Sequence, residues 1–84
     1  MAMVTLRYWA AAKEAAGVAE EKVEADNLAA ALKAGLAGSN GRLSQVIARS
    51  SFLVDDEPAG TRDPASIDLA DGTVIEVLPP FAGG

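Results

Sequence analysis

The sequence predicts an α+β fold: a mixed sheet of four or five strands packed on one main helix. Three observations carry this expectation. Val4, Leu6 and Tyr8 alternate with Thr5, Arg7 and Trp9, the period-two pattern of a strand with one buried face. Leu28, Leu32 and Leu36 recur at helical spacing and form one apolar stripe that must lie against a sheet. Val74, Ile75, Val77 and Leu78 crowd a short closing run, as in an interior strand covered by a helix.

Between these landmarks the elements follow from local chemistry. Ala10 to Ala16 holds Lys13 and Glu14 among alanines, with no β-branched residue, and meets Gly17; this predicts a short helix directly after the first strand. Trp9 is expected to pack under it. Glu20-Glu21-Lys22-Val23-Glu24-Ala25 reads as a second strand, charged on one face as suits an edge. Asp26 or Asn27 supplies the cap for the main helix, which runs through about Leu36. Gly35, Gly38, Ser39, Asn40 and Gly41 predict a break, after which Leu43, Val46 and Ile47 mark a second helical segment ending near Arg49. Arg42 and Arg49 read as solvated charges on its outer face. Phe52-Leu53-Val54 returns to strand, followed by turns at Asp55-Asp56-Glu57-Pro58, Asp63-Pro64-Ala65-Ser66 and Asp71-Gly72. A β-grasp arrangement accounts for this order, with the first and last strands central and parallel and a right-handed crossover through the main helix. Ala10 to Ala16 is too short to cover a sheet, which disfavours a ferredoxin-like split βαβ.

Composition limits the chemistry. There is no Cys and no His, so thiolate nucleophiles, imidazole bases, disulfides and the usual nitrogen or sulfur zinc ligands are excluded. Lys and Arg total 7 against 12 Asp and Glu, and a net charge of −5 opposes binding to nucleic acid or an anionic membrane. With no long apolar run, a cytoplasmic location is expected. Eighteen alanines sit within the hydrophobic half of the 84 residues, leaving enough large side chains for a compact core but not for one that also surrounds a ligand pocket. The adjacent carboxylates Asp55 and Asp56 read as turn residues, because a hard-cation site needs about six oxygen ligands and no further acid stands at suitable spacing.

This leaves the last stretch, Leu78-Pro79-Pro80-Phe81-Ala82-Gly83-Gly84. Residues 1–78 are expected to form the single domain and 79–84 an extended flexible tail. Pro79 and Pro80 fix their own φ and bias the preceding residues toward extended conformations, making a stiff stem. Gly83 and Gly84 lack Cβ, so the terminus is thin enough for a narrow channel in a partner. Ordering the six residues of this tail at about 1–2 kcal/mol of backbone entropy each requires a contribution from docking of the body. An apolar sheet patch near Phe81 is therefore expected. Phe81 is the candidate anchor, with a place in the core as the alternative.

Leu6-Arg7-Tyr8-Trp9-Ala10-Ala11-Ala12-Lys13-Glu14-Ala15-Ala16-Gly17 resembles the opening of the MoaD family, the small subunit of molybdopterin synthase. Leu69-Ala70-Asp71-Gly72-Thr73-Val74-Ile75-Glu76-Val77-Leu78 and the tail resemble that family's ending, although Thr73 stands where an acidic residue is frequent and Lys13 where Arg is. The helix over Ala10 to Gly17 favours this family over the thiamine-pathway carriers that share the tail. The resemblance implies a non-catalytic sulfur carrier. Its Gly84 carboxylate would be adenylated by a MoeB-like relative of ubiquitin-activating enzymes, which uses the ATP, and then converted to a thiocarboxylate. A large MoaE-like subunit, in a heterotetramer, would transfer that sulfur to precursor Z in molybdopterin biosynthesis. Pro80, Phe81, Ala82 and Gly83 would bind the partner, and the carrier itself would hold no cofactor or metal. A carrier for the thiamine or cysteine pathways and a ubiquitin-like protein modifier remain the alternatives, since their tails end alike.

Overall fold

The computed structural model describes residues 2–37 and 41–80. Its strands are β1 (Met3–Tyr8), β2 (Glu20–Glu24), β3 (Ser51–Val54), β4 (Glu57–Pro58) and β5 (Val74–Leu78), and its helices α1 (Ala10–Ala16), α2 (Leu28–Leu36) and α3 (Gly41–Arg49). A single 3₁₀ turn covers Pro64–Ser66, with the Asp63 side chain accepting from the Ala65 amide at its start. The five strands form one sheet in the order β2-β1-β5-β3-β4. β1 and β5 are central and parallel, and the other pairs are antiparallel. This is the expected α+β, β-grasp arrangement, with a fifth strand too short to stand out in the sequence.

Each boundary has a local cause. Gly17 ends α1 at φ 80°, its amide donating to the Lys13 carbonyl, a left-handed closure that glycine adopts without Cβ strain. The Asn27 side chain caps α2 by accepting from the Ala30 amide at 2.8 Å. Asp55 and Asp56, at φ 50° and 70°, form the two-residue turn of the β3–β4 hairpin; both central residues lie in the region a type I′ turn demands. Asp55 also accepts from the Val74 amide at 2.9 Å, tying the hairpin to β5. Asp71 accepts from the Met3 amide at 2.7 Å and so fixes the start of β1.

The core lies on one face of the sheet. Val4, Leu6 and Tyr8 of β1 and Ile75 and Val77 of β5 are buried there with Leu28 and Ala31 of α2 and Leu43 and Ile47 of α3. Three sequence expectations are corrected. Gly35 belongs to no break: it is buried within α2, where an added Cβ would lie 2.6 Å from Leu6 Cδ1 and 2.8 Å from the Tyr8 hydroxyl oxygen. The buried line of α2 is accordingly Leu28, Ala31 and Gly35, with Leu32 and Leu36 only flanking it. Trp9 does not pack under α1. It is 44% exposed, because as the extended residue after Tyr8 it falls on the opposite face from the core.

Candidate functional site

Phe81, Ala82, Gly83 and Gly84, on which the sequence places the chemistry, lie outside the described residues. The described residues give the ground from which they leave. Because β1 and β5 run parallel, the chain's turn into α1 and its exit through Pro79 and Pro80 occur at the same end of the sheet. The Trp9 amide donates to the Val77 carbonyl at 3.3 Å, joining the two there. Ala10 then takes φ 48°, a left-handed conformation unusual for alanine, and α1 begins without a side-chain cap. Pro79 is half-buried and Pro80 exposed, so the stem emerges from the fold within two residues of β5.

On the face away from the core, strand register sets the neighbours. Arg7 lies opposite Glu20 on β2 and opposite Glu76 on β5, and Glu76 in turn lies opposite Leu53 on β3, which pairs with Pro58. Thr5 sits between Lys22 and Val74, one step further from the tail. Leu78 pairs with Ser51 at the tail end. Trp9 closes this end: its indole Nε1–H donates to Glu76 Oε1 at 3.2 Å, and the Arg7 guanidinium carbon stands 5.5 Å from the ring centroid. Trp9 and Leu78 thus lie at the tail root, with Leu53 one step further along the sheet and a charged zone of Arg7, Glu20, Lys22 and Glu76 beside them. The patch is expected near Phe81, which lies outside the described residues; the apolar residues at the tail root among the described ones are Trp9 and Leu78.

The Tyr8 hydroxyl donates to Glu21 Oε1 at 2.5 Å beneath α2. Burial, together with the hydrogen bond and charge of Glu21, holds the phenol well above the usual tyrosine range. Asp55 and Asp56 act as turn residues, and among the described residues no group of three or more His, Cys, Asp or Glu is placed to hold a metal ion.

Sequence reasoning missed the Arg7–Trp9–Glu76 cluster. Its signal was present in the only charged residue of the last strand, Glu76, and in Arg7 on the polar side of β1. The two meet only through the parallel β1–β5 register.

A ubiquitin-like carrier body, with one helix-covered sheet face and a stem leaving beside an open one, is the class that this fold and site define. The sequence profile of the ThiS family matches residues 6–84, and the chain belongs to that family of ubiquitin-like sulfur carriers. Among curated proteins none matches. Several solved structures are similar. The small archaeal modifier protein 1 from Methanosarcina acetivorans is 22% identical with a TM-score of 0.86, covering 100% of this chain and 98% of its own. The complex of subunits 1 and 2 of the molybdopterin-converting factor from Helicobacter pylori contains a chain 28% identical with a TM-score of 0.69, covering 98% and 99%. CysO from Mycobacterium tuberculosis is 18% identical with a TM-score of 0.76, covering 93% and 99%. No helix among the described residues is long and apolar enough to cross a membrane.

Proposed function

We infer that this chain is the sulfur-donating small subunit of a molybdopterin synthase and that Gly84 carries the sulfur. The observation that supports this most is the tail root: a double-proline stem leaves the central parallel strand pair beside an apolar patch that the core does not use. The molybdopterin assignment is favoured by the resemblance of both chain ends to the MoaD family and by the 28% identity to a chain of the Helicobacter pylori complex.

The chemistry follows from the group. An α-carboxylate ionises near pH 3.5 and is a poor acyl donor at neutral pH. A MoeB-like partner joins it to AMP from ATP, with pyrophosphate leaving. A sulfur nucleophile then displaces AMP at the acyl carbon and leaves a thiocarboxylate at Gly84. On a MoaE-like large subunit the thiocarboxylate sulfur bonds to precursor Z, and water then cleaves the acyl C–S bond, leaving the sulfur on the substrate and returning Gly84 as a carboxylate; two such carriers supply the two dithiolene sulfurs. The body contributes docking, and the partners contribute the cations, bases and nucleotide site.

The test is reconstitution. Thiocarboxylated chain mixed with a cognate large subunit and precursor Z should yield molybdopterin with the carrier returned to its carboxylate mass. If the thiocarboxylate forms but is consumed only by a cysteine or thiazole synthase, the pathway assignment is wrong. If Gly84 is recovered instead in isopeptide linkage to lysines of other proteins, the chain is a modifier.

A further inference from the structure

We propose that the free chain caps itself: residues 81–84 fold back over α1, with Phe81 seated in the cleft between Trp9 and Val18 and the Gly84 carboxylate turned toward Lys13. The role of the Gly84 carboxylate rests on the carrier reading above, whereas the seat for Phe81 does not. Among the described residues, the large apolar side chains left exposed are Met3, Trp9 and Val18. Met3 opens β1, at the end of the sheet away from the stem. Trp9 and Val18 line one open cleft of about 730 Å³ with Lys13 and Ala19, on the side of α1 away from its buried Ala12 and Ala15. The large exposed apolar side chains at the stem end of the fold therefore meet in one place.

Chain connectivity selects the occupant. The Trp9 amide donates to the Val77 carbonyl, so one wall of the cleft is hydrogen-bonded to the strand from which the stem leaves. That wall is also held in place, because the indole N–H donates to Glu76 Oε1 at 3.2 Å. Phe81 is the third residue after Leu78, and three extended residues span roughly 10 Å. Adjacent strands stand only about 5 Å apart, so a stem that turns across β1 brings the Phe81 ring to Trp9. Met3, about 17 Å back along β1 from Tyr8, lies out of its range. The fixed φ of Pro79 and Pro80 lowers the entropy lost in holding such a turn. Gly84 lies three residues further on, and Lys13 is the only cation lining the cleft. A tethered ring reaches this cleft at a high effective concentration. Any partner that takes the tail must first displace it, so the apparent affinity falls by the fraction of chains that are open.

NMR of the full free chain reads the contact without any partner. The Phe81 ring should show NOEs to the Val18 methyls and the Trp9 indole, and Phe81→Ala should shift the Val18 and Trp9 resonances while leaving Ile75 and Val77 in place. Absent NOEs with unmoved Val18 and Trp9 resonances overturn the seat. Movement of Ile75 and Val77 overturns it too, because Phe81 then belongs to the core. Lys13→Gln should move the Gly84 amide resonance, and an unmoved one overturns the carboxylate contact. With an activating enzyme and ATP, Val18→Asn, which removes one apolar wall and leaves the tail intact, should lower the KM for the carrier about two- to threefold, as for a chain half to two-thirds closed. An unchanged or raised KM overturns the capping role. A wild-type chain that no activating enzyme accepts refutes the carrier reading, while the NMR comparison still decides the seat of Phe81.

Discussion

The two faces of the sheet follow opposite rules. On one, Val4, Leu6, Tyr8, Ile75 and Val77 are sealed under the helices, and the packing is tight enough that α2 carries Gly35 where any side chain would collide. On the other, Met3, Arg7 and Trp9 are exposed, and Val74, Glu76 and Leu78 are half-covered. The same strands β1 and β5 serve both faces, one residue out of phase. The difference teaches that the fold is held from one side only, which leaves the other free for recognition.

The largest test of that division compares Leu6→Ala with Leu78→Ala. Leu6 is fully buried, and its truncation should cost about 2–5 kcal/mol in urea denaturation. Leu78, half-buried on the open face, should cost no more than about 1 kcal/mol and instead weaken association with the partner. Equal losses of stability would erase the contrast. Next comes Gly35→Ala, which adds a methyl 2.6 Å from Leu6 Cδ1; it should destabilise by about 1–3 kcal/mol in the same assay, although alanine is the better helix former. A gain in stability would mean that α2 is free to move off the sheet.

A smaller effect sharpens the comparison through pH. The Tyr8 phenol is held above its ordinary range in the folded chain, while the unfolded chain ionises near pH 10. Above that pH the unfolded state sheds a proton that the folded state keeps, so the contribution is fully present below pH 10 and is lost as pH rises beyond it. Tyr8→Phe should cost about 1 kcal/mol at neutral pH, by removing the bond to Glu21, and should show a shallower loss of stability between pH 9 and 11 in urea midpoints. Identical alkaline slopes for the two proteins would place the phenol in solvent.

Much of this was legible in the sequence, for reasons that differ from residue to residue. The period-two alternation of β1, the Asn27 cap, the Gly17 stop and the Asp71-Gly72 turn are local devices that need no tertiary information. Gly35 was misread because its reason is tertiary: the close approach of α2 to Leu6 and Tyr8 is invisible to propensity, which treats glycine as a breaker. Trp9 was expected under α1, but the strand phase that sets it opposite Tyr8 carries through to its side chain and leaves it on the open face. The pairing of Arg7 with Glu76 depended on a register between segments far apart in the chain. Phe81 to Gly84, where the sequence puts the tail's chemistry, lie outside the described residues.

The central claim is that the body exists to present the Gly84 carboxylate, and intact-mass measurement tests it most directly. Incubated with a cognate activating enzyme, ATP and a sulfur donor, the chain should gain the mass of one oxygen-to-sulfur exchange at Gly84, and a variant with one residue appended after Gly84 should gain nothing. An unchanged mass for the native chain, or equal exchange in the extended one, would contradict it.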